Sequence, residues 1–365
     1  MLIITALKEK FKELKELIDI KLPDFKFTNK ISIHNINNNY NAIKRLVDDM
    51  KESDVNFLLR RCQFVRFVLS DISEAFQFFD SQNSRGKDLV PHDLLKAYHL
   101  REFSEDDKKY VDGAIASWEE LDNDKSSLNL SNLFSNYLYR IRGWLKGNSS
   151  RYFEKKDIEL FKGITLHSND NRYPFAKSLI ANNIFIERYN NHSDRIFDEN
   201  TTHYPFQLDQ NIINGKRFFE MIKYYAGLKC KYYNTIKSLK LSNNAYAVVE
   251  IIDQYKGKNR TGDRYTREMF DSALLYYVDK FGYAEISKII ELFFIWAYKP
   301  RLQQQVKLAT IDNYVLDSNM FRVIRDSISP FQVLEYNVDN ISEVKATKVD
   351  DLKIKFKELG YYHGI

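Results

Sequence analysis

The amino-acid sequence predicts a mainly α, multi-helical protein, and three observations lead to this fold class. Glycine and proline are scarce, with 12 Gly and 6 Pro in 365 residues, whereas a many-stranded sandwich or barrel needs many turn-forming residues. Apolar residues recur at spacings of three and four along most of the chain, which is the period of an amphipathic helix. Aromatic residues are abundant, with 26 Phe, 24 Tyr and 3 Trp, and supply large surfaces for packing helices together.

The N-terminal third is predicted to combine helices with one short strand. Residues 4–18 place their apolar side chains on one helix face. The asparagine-rich residues 35–39 predict a loop, and a second helix follows over residues 40–50. The β-branched and aromatic run at residues 63–70 predicts a strand, with a buried helix of the same length as the alternative. We therefore expect a small α/β remnant near residues 55–100.

The remainder of the chain is predicted to be helical. Pro91 begins a helix with Asp93 in its first turn, and Ser104 is the N-cap of another. Further helices are predicted over residues 130–145, 270–281, 286–298 and 349–359. Gly282 is expected to be the C-cap of the second of these helices, and Pro300 is expected to stop the third.

Charge and cysteine content narrow the class of protein. The chain carries 55 Lys and Arg against 50 Asp and Glu, a formal charge of +5, which permits a nucleic-acid partner without demonstrating one. Only Cys62 and Cys230 occur, so no disulfide framework is expected and a reducing cytoplasm fits. The most hydrophobic stretch, residues 289–298, is about half as long as a membrane span, so no membrane partner is expected.

The motifs that mark common catalytic and metal sites are missing from the sequence. It has no His-Glu-x-x-His, paired Cys-x-x-Cys or EF-hand spacing. His92 and His99 lie two helical turns apart, roughly 10 Å, which is too far for one metal ion, so capping or surface roles are expected for them. Gly-x-Ser-x-Gly, Walker and Rossmann patterns are also absent. We therefore assign no catalytic residue and no metal ligand.

One segment, residues 78–96, contains a pattern of polar, cationic and glycine residues that helix packing alone does not require. Its candidate phosphate-proximal residues are Asn83, Arg85, Gly86, Lys87, Asp93 and Lys96. An arginine is a bidentate phosphate donor, and a glycine permits positive φ or close approach of a ligand. The alternative is a plain helix–turn–helix connection with solvated charges and an Asp93–Lys96 pair worth a few tenths of a kcal/mol.

The spacing of this segment is that of a known signature. Asn83, Arg85, Gly86 and Leu89, followed by Asp93-Leu94-x-Lys96, resemble the Asn-x-Arg-Gly-x-x-Leu-x-x-x-Asp-Leu-x-Lys pattern of the bacterial family catalogued as domain of unknown function 262. That family includes the GmrSD type IV restriction enzymes and related phage-defence proteins. Weaker similarity extends over residues 204–208, 214–219 and 262–265.

The resemblance implies a ParB/sulfiredoxin-like N-terminal domain that binds or hydrolyses nucleotide through an Asp-Gly-Gln-Gln-Arg motif, coupled to recognition or cleavage of invading DNA. That motif is absent from this sequence, and residues 2–17 resemble the helix that follows it. We therefore expect a truncated or split member. Residues 1–147 would be the C-terminal part of the nucleotide domain plus helices, and residues 148–365 a helical domain, divided at the linker-like Gly147-Asn148-Ser149-Ser150.

The same resemblance sets expectations for activity and partners. Alone, such a chain would hydrolyse nucleotide weakly or not at all, using an NTP with Mg²⁺ only if the missing N-terminal segment is supplied. The expected partners are DNA and a protein that carries the missing half or a nuclease domain. Many relatives carry a C-terminal histidine-containing nuclease domain, whereas the C-terminal region here has only His363, so no nuclease centre is expected.

Basic residues in the second half of the chain are candidates for contact with a phosphate backbone. They are Lys216, Arg217, Lys229, Lys231, Lys258, Arg260, Arg264 and Arg267. The nearby stacking candidates are Tyr224, Tyr225, Tyr232 and Tyr233. The alternative is that the cations form the solvated faces of amphipathic helices and the tyrosines the edge of the core.

Three functions follow in order of preference. The first is DNA recognition or coupling by a member of the defence-associated family that is inactive as an NTPase alone. The second is a non-enzymatic helical scaffold that holds a partner protein. The third is an unusual intact nuclease or NTPase.

Overall fold

The computed structural model describes residues 2–11, 30–63, 90–123, 129–166, 173–190, 192 and 206–363. The chain divides into two compact units, Met1–Leu69 and Ser70–Ile365. Within the described residues the regular structure is helical, apart from two isolated bridges that pair Ile164 with Ile213 and Ile341 with Tyr362. The predicted mainly α fold is confirmed. The predicted strand at residues 63–70 lies almost entirely outside the described part of the chain.

The first unit contains three helices, α1 (Leu2–Lys10), α2 (Lys30–Asp48) and α3 (Glu52–Arg61). Their buried contacts come from Ala6, Leu7, Val47 and Val55. The Nζ atom of Lys10 donates to the carbonyl oxygens of Val47 at 2.9 Å and Met50 at 2.8 Å. Carbonyls at a helix C-terminus have no partner within the helix, so this lysine caps α2.

The predicted loop at residues 35–39 is wrong, because α2 runs straight through the asparagines. Asparagine has only moderate helix propensity. Tyr40, Ile43 and Val47 share one face of the helix, however, and pack against α1 and α3 in the core of the unit. Tertiary packing therefore decides the conformation of the asparagine run.

The second unit begins with a group of helices, most of which contribute to an aromatic cluster. They are α4 (Pro91–Arg101), α5 (Val111–Asp122), α6 (Leu130–Asn132, the π-helical turn Leu133–Leu138 and Tyr139–Lys146, in one continuous run) and α7 (Pro174–Asn190), with 3₁₀ turns at Lys108–Tyr110 and Lys155–Phe161. Trp118, Phe134, Phe161 and Phe218 are all buried and contact one another or shared neighbours through their rings. The aromatic residues are thus used to pack helices.

The remaining helices assemble around two buried ones. They are α8 (Lys216–Ser238), α9 (Asn243–Gln254), α10 (Thr261–Phe281), α11 (Ile286–Gln303), α12 (Leu308–Asp317), α13 (Met320–Asp326), α14 (Pro330–Leu334) and α15 (Asp350–Glu358). Residues 269–278 of α10 and 292–298 of α11 are buried on every side, which is typical of helices at the centre of a domain. The predicted C-cap Gly282 is confirmed, with φ of 61°. None of the described helices is long and apolar enough to cross a membrane.

The prediction that Pro300 stops its helix is wrong, because α11 continues to Gln303. A proline inside a helix has no N–H to donate to the carbonyl four residues earlier, here that of Trp296. The hydroxyl of Tyr314 donates to that carbonyl at 2.9 Å instead. The lost helical hydrogen bond is therefore replaced from α12.

The sequence-predicted boundary at Gly147–Asn148 lies inside the second unit. Trp144 before it donates from Nε1 to Asp312 at 2.9 Å, and the Ser150 amide after it donates to the same carboxylate at 2.7 Å. Asp312 is fully buried. One side chain of α12 therefore holds residues on both sides of the predicted boundary in the same core.

Candidate anion-binding cleft

Helix α10 carries a row of charged residues on one face of its N-terminal half. Arg260 precedes the helix, and Asp263, Arg264, Arg267 and Asp271 follow at spacings of one to four residues. Residues three or four apart in a helix are neighbours on its surface. A cleft of about 460 Å³ opens beside this face, and we call it the α10 cleft. Its charged lining residues are Lys229, Asp253, Lys258, Asp263, Arg264, Arg267, Glu268 and Asp271.

Arg267 is the centre of an ion-pair network in the cleft. Its Nη1 atom lies 2.9 Å from Asp253 Oδ1, and its Nε atom lies 3.0 Å from Asp271 Oδ1. Lys237 also pairs with Asp253, at 2.6 Å, and Lys229 lies 3.7 Å from Asp271 Oδ2. Each of these two carboxylates therefore faces two cations.

The network fixes the ionisation of its acids. Burial by itself would raise the pKa of Asp271, but the charges of Arg267 and Lys229 outweigh it and hold the pKa below its usual range. Asp253 is also partly desolvated, and hydrogen bonds from Lys237 and Arg267 likewise lower its pKa. Both groups are therefore anionic at neutral pH.

Lys229 enters the cleft from α8 along an aromatic wall. Its ammonium group lies 4.0 Å from the ring centroid of Tyr137 and 4.8 Å from that of Tyr232. Burial lowers the pKa of this lysine, while Asp271 acts in the opposite direction. Cation–π contacts and the neighbouring carboxylate compensate for part of the lost hydration.

Tyr298 of α11 also lines the cleft. The side chain is fully buried, and its hydroxyl has no hydrogen-bond partner in the described part of the chain. A buried hydroxyl without a partner carries a free-energy penalty of about 1–3 kcal/mol. This hydroxyl is therefore an unsatisfied polar group of a residue that lines the cleft.

Two cations of the cleft are open to solvent. Arg264 is exposed and forms no ion pair with any residue that the structure describes. Lys258 is also exposed, and its ammonium group donates to the backbone carbonyl of Asp253. Neither charge is neutralised by a carboxylate, so both can attract an anion.

Asp263 separates the α10 cleft from a second cavity. The carboxylate is buried and accepts hydrogen bonds from Tyr255 Oη at 2.7 Å, Arg260 Nε at 2.8 Å and Arg301 Nε at 2.8 Å. It lines both spaces, and the second one, of about 740 Å³, lies against the N-termini of α10 and α12. We call this second space the α12 cavity.

The structure places the eight basic residues predicted from sequence in different environments. Lys229, Lys258, Arg264 and Arg267 line the α10 cleft, and Arg260 lines the α12 cavity. Arg217 contacts Glu220 and stacks on Phe206, and Lys216 lies within 3.9 Å of three acids. Lys231 is exposed on α8 and belongs to neither space. Five of the eight therefore line one of the two spaces that share Asp263.

The tyrosines predicted to stack on bases are structural. Tyr225 and Tyr232 are buried, so their prediction as stacking residues is wrong. Tyr225 donates to Asp279 at 3.0 Å, and Tyr233 donates to Asp253 at 2.9 Å. Tyr224 lies partly buried against the core. These rings interact with the protein because their faces pack between helices.

The signature segment is only partly described. Asn83, Arg85, Gly86 and Lys87 lie outside the described residues. Asp93 and Lys96 lie on α4, where Lys96 pairs with Glu119 of α5 at 3.4 Å.

Capping or surface roles were expected for the histidines of α4, and the surface role is wrong because both side chains are buried. His92 lies 3.3 Å from Asp122 Oδ1. The ligand atoms of His92, Asp93 and Asp122 lie within 4.8 Å of one another. His99 stacks on Phe218 with ring centroids 3.6 Å apart. Packing against aromatic neighbours therefore explains the position of His99.

The acidic partners of Arg267 and the buried position of Arg301 were not predicted from the sequence. Asp271 follows Arg267 by four residues, a spacing that indicates a helical ion pair. Asp253 and Lys237 come from other helices and carry no local signal. Arg301 follows the proline at which the helix was expected to end, so its place in a buried helix was hidden.

The fold and the cleft define a helical protein with a charged, ligand-sized site. The chain belongs to a family of unknown function (DUF7834), which matches residues 111–352. This range contains the α10 cleft and the α12 cavity and excludes the segment at residues 78–96. No curated protein and no solved structure matches the chain.

Proposed function

We propose that the protein binds nucleic acid through its phosphate backbone at the α10 cleft. The observation that carries the proposal is the convergence of Lys229, Lys258, Arg264 and Arg267 on one space from three separate parts of the second unit. Lysine and arginine side chains are the usual phosphate contacts of nucleic-acid-binding proteins. The cleft volume of about 460 Å³ lies in the range of ligand sites.

The balance of charge in the cleft favours an anion. Asp253 and Glu268 receive additional cations from outside the lining, since Lys237 lies 2.6 Å from Asp253 and Arg140 lies 2.6 Å from Glu268. Lys258 and Arg264 are therefore left in excess at the mouth. A concave surface with an excess of one sign concentrates ligands of the other sign.

The cleft suits binding better than catalysis. A general base works best when its pKa lies near the operating pH. Asp253 and Asp271 have pKa values held below the usual range by their cationic partners, so they are weak bases. This supports the expectation that the chain recognises DNA or couples its recognition to a partner, without hydrolysing nucleotide on its own.

The link to phage defence is part of this proposal and is supported by the resemblance at residues 83–96. In that setting the cleft would contact DNA while a partner protein supplies a nucleotide domain or a nuclease. An NTP with Mg²⁺ would bind only together with a partner that supplies the missing N-terminal segment.

An interaction scaffold is the second candidate function, favoured by the exposed face of α7. Phe175 is 56% exposed and Phe185 is 61% exposed. Phe185 stacks on Tyr189 of the same helix, with ring centroids 6.2 Å apart. Exposed aromatic side chains of this kind are typical of surfaces that bind other proteins.

Fluorescence anisotropy with labelled single-stranded and duplex oligonucleotides tests the nucleic-acid proposal. We expect Arg264→Glu to weaken binding by about tenfold or more, because it reverses an open charge at the mouth of the cleft. The matched control is Arg322→Glu, an exposed arginine on α13 outside the cleft. Equal binding by the wild type and Arg264→Glu would contradict the proposal, as would affinity that stays constant between about 50 and 200 mM salt.

A further inference from the structure

We infer that the α12 cavity is a second, separate ligand site that binds a nucleoside diphosphate. The cavity has a volume of about 740 Å³, which lies in the range of small-molecule sites. The residues that decide its chemistry are Tyr152, Arg260, Arg301, Gln304, Lys307 and Lys345. This site goes beyond the nucleic-acid cleft, because a different set of cations forms it.

Arg301 is the principal anchor of the site. It is only 6% exposed, yet it lines the cavity. Its Nε atom donates to Asp263 at 2.8 Å, while its two Nη atoms donate to none of the described residues. A guanidinium presents its donors as a planar fork that matches two phosphate oxygens. The buried arginine therefore offers an unused fork to the cavity.

Two helix N-termini meet at the same cavity. Thr261 and Gly262 begin α10, and Leu308 and Ala309 begin α12, and all four line the space. The first N–H groups of a helix have no partner within the helix and attract anions. Both helices thus add backbone donors to the side-chain cations.

The capping residues of these helices are basic, which is unusual at this position. Arg260 is the N-cap of α10 and Lys307 is the N-cap of α12, and neither side chain accepts a capping hydrogen bond. Ser, Asp and Asn are the preferred N-caps, and a cation near the positive end of a helix is unfavourable. The first turn of α12 has no acidic residue. A bound anion would compensate for this local excess of positive charge.

Among the described residues, one acid lines the cavity, and it does not cancel this charge. Asp263 is shared between Arg260 and Arg301, so two cations face one carboxylate. Lys307 is exposed at the rim, and Lys345 lies there with its ammonium group 3.2 Å from Glu343. The net charge facing the space is therefore positive.

The remaining lining residues suit a base and its sugar. Tyr152 is 68% exposed at the cavity wall, which leaves its ring face free for stacking. Gln304 and Gln305 are exposed beside it and carry both donors and acceptors. Phosphates at Arg301 and the helix N-termini, with a base on Tyr152, make a nucleoside diphosphate the ligand class that fits this lining.

Isothermal titration calorimetry of the full chain with ADP, inorganic pyrophosphate and adenosine tests this site. We expect ADP to bind more tightly than pyrophosphate, and adenosine not to bind. Arg301→Leu should weaken ADP binding by about tenfold or more, because it removes a charge-assisted pair of hydrogen bonds. Tyr152→Ala should weaken ADP binding and leave pyrophosphate binding unchanged.

Exposed variants keep the test valid if Arg301→Leu fails to fold. Lys307→Ala and Lys345→Ala alter solvent-facing lysines of the rim and should each weaken ADP binding, whereas Lys288→Ala, on the exposed part of α11 outside the cavity, should not. Arg264→Glu should leave ADP binding unchanged, which separates the two sites. Unchanged ADP affinity in both rim variants would overturn the proposal, as would adenosine binding as tightly as ADP.

Discussion

Arg301 and Asp263 join the two central helices of the second unit through a bond of 2.8 Å from Nε to Oδ1. Asp263 is 1% exposed and Arg301 is 6% exposed. Tyr255 and Arg260 donate to the same carboxylate, at 2.7 Å and 2.8 Å. A buried charge that is surrounded by donors stabilises a fold only while its partners are present.

Asp263→Asn is expected to destabilise the protein by about 3–5 kcal/mol. The substitution removes the negative charge and leaves Arg301 buried without a carboxylate. Urea denaturation measures the effect, with Asp339→Asn as the control because the Asp339 side chain is 91% exposed beside Lys299 and its loss should change stability by less than about 1 kcal/mol. Equal midpoints for the two variants would contradict a structural role for Asp263.

Asp279 should make the stability of the protein depend on pH. Its two carboxylate oxygens accept hydrogen bonds from the Leu208 amide at 2.7 Å and the Tyr225 hydroxyl at 3.0 Å. Burial nevertheless raises the pKa of this carboxyl to about 7, well above its ordinary value of 3.8. Between about pH 4 and pH 7 the folded protein therefore holds a proton that the unfolded chain has already released.

The sign of the pH effect follows from this difference. Below about pH 4 the group is protonated in both states, and as the pH rises towards 7 the free energy of unfolding falls, because only the folded state still binds the proton. We expect Asp279→Asn to reduce this loss of stability between pH 5 and pH 8 by roughly 2 kcal/mol. Urea denaturation at several pH values is the measurement, and parallel profiles for the two proteins would rule out this role for Asp279.

His99 is expected to stay neutral across the physiological pH range. Burial lowers the pKa of its ring to about 3. The Gly215 amide donates to Nδ1 at 3.3 Å, so Nε2 carries the hydrogen that is donated to the Phe161 carbonyl at 2.9 Å. This burial contributes stability above pH 6.5 that is lost as the pH falls from there towards 3. NMR of the imidazole signals, with His99→Gln to assign the resonance, should show no titration between pH 5 and pH 8, and a midpoint near 6.5 would contradict the prediction.

The sequence predicted part of the candidate site because part of it is local. Arg260, Arg264 and Arg267 recur at helical spacing, so a pattern could place them on one face of a helix. Lys229 and Lys258 come from other elements, and only the packing of α8 and of the loop before α10 brings them to the same cleft. Asp253, which pairs with Arg267 from α9, was hidden for the same reason.

The errors in predicting the helices also have a physical origin. Residues 35–39 were expected to form a loop from asparagine content, yet packing of Tyr40 and Val47 holds them in α2. Pro300 was expected to end α11, yet the helix continues. In both cases a local propensity is opposed by tertiary contacts that no short window of sequence contains.

Tyr314 and Pro300 should be energetically coupled through the carbonyl of Trp296. In the wild type that carbonyl accepts from Tyr314 Oη at 2.9 Å, because Pro300 has no N–H to offer. Tyr314→Phe leaves the carbonyl without this donor and is expected to destabilise the protein by about 1–2 kcal/mol. Pro300→Ala restores an N–H in the position that can donate to the same carbonyl, so Tyr314→Phe should destabilise the Pro300→Ala protein much less.

Urea denaturation of the wild type, the two single variants and the double variant measures the coupling between Tyr314 and Pro300 as a double-mutant cycle. Additive effects would mean that the tyrosine does not replace the hydrogen bond that the proline removes.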